Sequence, residues 1–201
     1  MPQDILEPLF EFAAKTIPEE QILAAKKFYQ METGDFYEDD KSYNSRMALF
    51  LEWYIFNNYP PKASKTVFEI MLENNSEEFA SDKLKFYKSI SQNIQGLFLI
   101  QKVHDGSVKT INLFTDEIYL VQEKDSRLIF RKNDIFQGRI IYFQNHFRFT
   151  GNFCFHPKKV HKYIKPKINL IAKNLDQYKK DLAKNEKNLL KAKSKLNHYE
   201  L

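Results

Sequence analysis

Cysteine is almost missing from this chain. Cys154 stands alone among 201 residues, so no internal disulfide can form, which agrees with a reducing compartment. No apolar run approaches the length needed to cross a bilayer, and the opening MPQDILEPLF is acidic where a secretory signal would be basic. The chain therefore reads as cytoplasmic, with no membrane among its partners. Catalytic signatures are lacking too: there is no nucleophile elbow, no phosphate loop and no H-E-x-x-H pair. Catalysis is thus the weakest class, and the expectation is a non-enzymatic binding protein with no cofactor and no metal.

What is present is apolar material and lysine. An apolar share of 43% with 15% aromatics is enough for a real core. The formal charge of +5 is unevenly placed: residues 157–201 hold thirteen lysines and four acids, a net +9 that leaves −4 for residues 1–156.

In chain order, helical spacing of Ile5, Leu6, Leu9, Phe10, Phe12 and Ala13 predicts a helix from Asp4 to about Lys15. Pro18 followed by Glu19 and Glu20 suits the start of a second helix, which Gly34 would end. Ser45 to Asn58 is the most hydrophobic helix of this half, and Pro60-Pro61 stops it. Thr66 with Glu69 makes a capping box before VFEIMLEN. A last helix, capped at Ser76 or Ser81, would put Leu84, Tyr87, Ile90 and Ile94 on one face up to Gly96. Beyond Gly96 the pattern changes to short strands. Asp105-Gly106 is the strongest hairpin signal, Leu128-Ile129-Phe130 reads as a short strand, and Asn145-His146 as another tip. After Pro157 and Pro166, Ile168, Leu175, Leu182, Leu189 and Leu196 recur every seven residues, predicting a helix from Lys167 to Asn197 about 46 Å long. The expected class is α+β, in three regions: a helical array (1–95), a small antiparallel β-barrel of the SH3 or OB kind (96–156) and a long basic heptad helix (157–201).

The order LFLEWYIFNNY, KTVFEIMLEN, LFLIQKV, INLFTDEIYLV, RKNDIFQGRI and FRFTGNF resembles the uncharacterised bacterial proteins found with a zinc-binding SEC-C tail. The resemblance covers roughly residues 45–155 and implies a fold, not an activity. Asn112 stands where those proteins tend to have Asp, Asp116 where they tend to have Gly, and the cysteine-rich tail is absent.

The basic C-terminal arm is the clearest functional feature. Lys158, Lys159, Lys162, Lys165, Lys173, Lys179, Lys180, Lys187 and Lys191 would draw phosphate backbones by counterion release. Lysine rather than arginine points to charge attraction, not base reading. In the strand region, Phe147 and Phe149 beside Arg148 are first choices for a stacking surface, with Arg131, Arg139 and Arg148 to hold phosphates. A nucleic acid or ribonucleoprotein is the expected partner. The alternative is a scaffold in which Ile168, Leu175, Leu182, Leu189 and Leu196 form a homodimer or grip a partner helix. The acidic run Asp35, Glu38, Asp39 and Asp40 lacks the spacing of a calcium loop and reads as a solvated loop or a docking site for the basic arm, while Cys154, His156 and His161 lack a fourth ligand and Cys154 falls in a strand, so no metal is expected there.

Overall fold

The structure, a computed structural model, describes residues 3–60, 63–74, 77, 81–171, 173, 174 and 184. The chain divides into two compact units, Met1–His156 and Pro157–Leu201. The first is α+β: helices α1 (Gln3–Thr16), α2 (Glu19–Thr33), α3 (Tyr43–Phe56), α4 (Val67–Asn74) and α5 (Ser81–Ile90) precede a six-stranded sheet. Among the described residues no helix is long and apolar enough to cross a membrane.

Local chemistry sets the helix ends. Pro18 precedes α2, and Gly34 closes it at φ 88°, a conformation that glycine adopts without strain. At α4 the capping box is formed: Thr66 N–H donates to Glu69 Oε2 at 2.7 Å, and Glu69 N–H returns a bond to Thr66 Oγ1 at 3.3 Å. Helix α5 stops at Ile90, short of the expected Gly96. Ile94 instead opens a strand, because Asn93 Nδ2 bonds the carbonyls of Ile90 and Ser91 and closes the helix there.

The strands are β1 (Ile94–His104), β2 (Ser107–Asn112), β3 (Ile118–Gln122), β4 (Ile135–Phe143), β5 (His146–Phe149) and β6 (Cys154–His156), ordered β1-β2-β3-β5-β4-β6. The long β1 serves two partners: residues 94–99 pair with β4, and from Phe98 onward it pairs with β2 across a bulge at Gln101. The sheet thus curls until β1 meets β4 again. It does not close evenly, and it is not wholly antiparallel as expected. The β3–β5 rung is parallel and only two residue pairs long, because the chain crosses over between β3 and β4 before the β4–β5 hairpin brings it back.

The Asp105-Gly106 hairpin forms, with Gly106 at φ 74°. Two other assignments differ. The β4–β5 tip is Gln144-Asn145, both at positive φ, one residue earlier than Asn145-His146. Leu128-Ile129-Phe130 does not form a strand; Ser126–Ile129 is a single helical turn, α6. Ser126 Oγ, fully buried, donates to the His104 carbonyl at 2.7 Å, and Arg131 Nη1 donates to the carbonyls of Arg127 and Phe130, so the backbone groups a strand would leave open are already satisfied.

Period-two alternation on β4 explains how the unit holds together. Phe136 and Ile140 enter one apolar cluster with Phe98, Ile100, Val121, Phe130 and Phe149. Ile141 enters the other, with Phe50, Ile55, Phe68, Tyr87 and Ile90 of the helices, and Phe143 meets Phe86 edge-on at 4.9 Å. β4 is therefore buried on both faces and separates two cores.

In the second unit a 3₁₀ turn, Lys158–Val160, leads into a helix over residues 161–171. That helix starts before Lys167 and takes Pro166 inside it, without the i→i−4 hydrogen bond that proline cannot donate.

Candidate nucleic-acid interface

Arg139, expected to face phosphate, is 1% exposed. It projects from β4 toward the helices, where Nε donates to Glu52 Oε2 of α3 at 3.3 Å. Its Nη1 donates to Asn93, and its Nη2 to Asn57 Oδ1 at 2.5 Å and Gln95 Oε1 at 3.2 Å. The guanidinium also lies 4.8 Å from the Phe56 ring centre. Glu52, itself 2% exposed, accepts a further bond from Asn152 Nδ2 at 2.8 Å. Burial pushes the Glu52 carboxyl above its ordinary range, and the Arg139 charge works against that shift. This is a satisfied buried pair that joins helices to sheet, and no ligand reaches it.

The other expected strand residues divide. Phe149 is wholly buried, packed 5.2 Å from Phe130 and 5.5 Å from Phe136, so it is core rather than stacking surface. Phe147 is half-buried, its ring 5.2 Å from both Tyr119 and the exposed Tyr142. Together with Lys88, Ser89, Gln92 and Asn93, Phe147 and Tyr142 line a groove of about 590 Å³. Arg148 is half-buried and lies 5.8 Å from the Phe143 ring, with Nε buried and unbonded.

Arg131 is exposed and belongs to a group of four cations. Lys102 of β1, Arg127 of α6, Arg131 and Lys132 line a depression of about 360 Å³ floored by Val103 and the buried Phe130. Two local devices hold it. Asp134 accepts the Arg131 backbone N–H at 2.7 Å, and Asn133 sits at φ 68°, which turns the loop tightly. The Arg131 Nη1 bonds then fix that side chain across the end of α6, at 2.5 Å from the Arg127 carbonyl and 2.9 Å from that of Phe130. Four cations in one concavity present several kT of positive potential to a polyanion. Lys102, Arg127 and Lys132 escaped the sequence reading. Arg127 and Lys132 flank Arg131 in sequence and gave a weak signal; Lys102 is brought there by the pairing of β1 and gave none.

In the second unit Lys158, Lys159, Lys162, Lys165 and Lys173 are exposed. Ile168 is buried, while Leu170 and Ile171 are about half exposed. Lys179, Lys180, Lys187, Lys191, Leu175, Leu182, Leu189 and Leu196 lie outside the described residues.

The acidic run is organised by hydrogen bonds and by Arg46. Asp40 Oδ2 accepts the Tyr37 N–H at 2.9 Å, and Arg46 donates to the carbonyls of Thr33, Gly34 and Asp35 while stacking 4.8 Å from the buried Phe36. Among the described residues no three His, Cys, Asp or Glu side chains converge as metal ligands; Cys154 and His156 sit on β6.

No curated protein and no solved structure matches the chain. A family match does extend over residues 5–192, taking in the helices, the sheet and most of the lysine-rich segment, and the chain accordingly belongs to the family of unknown function DUF7986.

Proposed function

We propose that this protein is a cytoplasmic, non-enzymatic binder of single-stranded nucleic acid, free or within a ribonucleoprotein. The observation that carries the reading is the depression in which Lys102, Arg127, Arg131 and Lys132 converge. The curled sheet supports it. The order β1-β2-β3-β5-β4, with β4 returning to β1 and a helical turn between β3 and β4, supports reading the sheet as a small partly open barrel of the OB kind, an architecture used for oligonucleotides and oligosaccharides. Near the groove at the β4–β5 hairpin, Tyr142 and Phe147 offer rings to a base and Lys88 a charge to its phosphate. The exposed lysines of the second unit add sequence-independent attraction. The likeness to SEC-C-associated proteins adds no activity to this reading.

The test is binding of a fluorescent single-stranded oligonucleotide as a function of salt. Lys102→Glu, Arg127→Glu and Lys132→Glu are combined and Arg131 is spared, because its bonds hold α6. Loss of three phosphate contacts should reduce the magnitude of the slope of log affinity against log salt by about 2. An unchanged slope and affinity would remove this depression from the binding surface.

A further inference from the structure

A second opening, of about 500 Å³, shares no lining residue with the basic depression and contains no lysine, arginine or carboxylate. Its walls are Asn57, Gln95, Leu97, Phe114, Gln137 and His156. Two of these amides have a forced orientation. Asn57 and Gln95 both meet the Arg139 guanidinium, at 2.5 and 3.2 Å. An arginine only donates, so the atoms facing it are the amide oxygens, and each NH₂ is left as the free end. No described group accepts from either NH₂. A pocket whose fixed polar ends are donors selects a ligand that brings acceptors. Glu52 balances the Arg139 charge within the protein, so nothing here favours phosphate or carboxylate.

The aromatic wall is built just as deliberately. Phe114 is 48% exposed, yet the loop that carries it is tightly bonded. Its N–H donates to Oδ1 of Asn112 at 3.0 Å, and Asn112 is only 2% exposed. Leu113 N–H reaches the Leu97 carbonyl at 2.8 Å, and Asp116, at φ 58°, returns its N–H to the Asn112 carbonyl at 2.9 Å. Asn112 fits because residue 96 is glycine: a Cβ there would come within 2.8 Å of the Asn112 Nδ2. Holding a large ring in water gains the fold no burial. It gives a planar ligand a face to stack on.

We propose that this pocket binds an uncharged nucleobase, stacked on Phe114, with its carbonyl or ring-nitrogen acceptors on the NH₂ groups of Asn57 and Gln95. The base is either that of a free nucleoside or one carried on a strand. The inference stands on this pocket alone and does not need the phosphate-binding surface.

Calorimetric titration of the full chain with adenosine, uridine and an unstructured trinucleotide, with glucose as control, tests it. At least one of the three saturates a single site and glucose does not. Phe114→Ala weakens that binding about tenfold, the size of one lost stacking contact, while Phe114→Trp, which keeps a flat face, retains it. Binding of a nucleoside assigns a free ligand; binding of the trinucleotide alone assigns a strand. Nucleoside affinity is also indifferent to salt and to Lys102→Glu with Arg127→Glu, which separates this site from the basic depression. Saturation by glucose, no saturation by any base, or unchanged affinity in Phe114→Ala overturns the proposal.

Discussion

The two cores on either side of β4 are built differently. On the sheet side Phe98, Phe130, Phe136 and Phe149 pack ring against ring, with centroids 5.2–6.5 Å apart. On the helix side rings also meet rings, as Phe56 meets Phe68 at 5.0 Å and Phe50 meets Tyr54 at 6.0 Å, but they share the core with Leu6, Leu9, Ile55, Met71 and Ile90. Neither cluster specifies how it sits on the other, because apolar contact is non-directional. Direction comes from the seam, where Glu52 of α3 and Arg139 of β4 are buried at 2% and 1% exposure with their hydrogen bonds supplied by Asn57, Asn93, Gln95 and Asn152. Apolar burial holds each half, and a charged pair sets the angle between them.

The largest effects should come from breaking core and seam separately. Phe149→Ala removes a ring that four other rings touch and should cost about 3–5 kcal/mol. Arg139→Met should cost a similar 3–5 kcal/mol, because it leaves Glu52 buried without its partner. The two losses differ in pH dependence. A carboxyl whose folded pKa is raised contributes stability at pH below its unfolded value and loses it as pH rises through the folded one. Removing Arg139 raises the Glu52 pKa further, so that variant should recover stability as the pH is lowered toward the carboxylate range. Phe149→Ala keeps the Arg139 partner and should show only the smaller pH dependence of the wild type. Urea unfolding at several pH values measures both, and parallel curves for the two variants would mean that the seam is not electrostatic. The double change Glu52→Leu with Arg139→Met should be far milder than Arg139→Met alone.

What could be read from the chain was what is close in the chain. The Thr66–Glu69 box spans three residues, Gly34 ends the helix it follows, and the Asp105-Gly106 hairpin joins adjacent strands; each is a local rule with a local cause. The seam was invisible, because Arg139 and Glu52 are 87 residues apart and an arginine in a strand looks the same from sequence whether it faces water or a buried carboxylate. Phe149 and Phe147 illustrate the same limit. Alternation says that they point to nearby places on one face, but only the packing of β5 between β3 and β4 decides that one is core and the other half-open. The basic depression mixes both cases, since Arg127, Arg131 and Lys132 come from one turn and Lys102 comes from elsewhere. The loop bearing Phe114 is likewise set from a distance in the chain. Its tightness depends on Gly96, whose missing side chain makes room for Asn112.

A smaller perturbation probes the hinge of the sheet side. Tyr119 is nearly buried, and its hydroxyl donates to Glu117 Oε2 at 2.5 Å. Burial first, and then that bond, push the phenol up to about 12 from 10.0. A raised folded pKa means stability that is complete below pH 10 and declines between about 10 and 12, as the unfolded chain ionises before the native one. Tyr119→Phe should reduce this alkaline decline, to which Tyr29, Tyr54 and Tyr87, also raised by burial, contribute as well, while costing about 1.5–3 kcal/mol at neutral pH for the lost bond to a charged acceptor. A wild-type stability curve that is flat across that window would contradict the assignment.

The helix side offers the complementary and mildest case. Glu69 is exposed, and its carboxyl is held below the ordinary range mainly by the Thr66 backbone N–H and then by the Thr66 hydroxyl, which donates to Oε2 at 2.9 Å. A lowered folded pKa carries the opposite sign: the contribution is present above the unfolded carboxylate value and disappears as pH falls through the folded one. Thr66→Ala should therefore cost about 1 kcal/mol at neutral pH, the ordinary worth of an N-cap, and less in acid, where a protonated Glu69 gains less from the Thr66 hydroxyl that the substitution removes. Because Thr66 and Glu69 touch neither the Glu52–Arg139 pair nor the phenylalanine cluster, this loss should add to that of Phe149→Ala without coupling. A coupling above about 0.5 kcal/mol in the double variant would show that the two sides of β4 communicate through more than the seam.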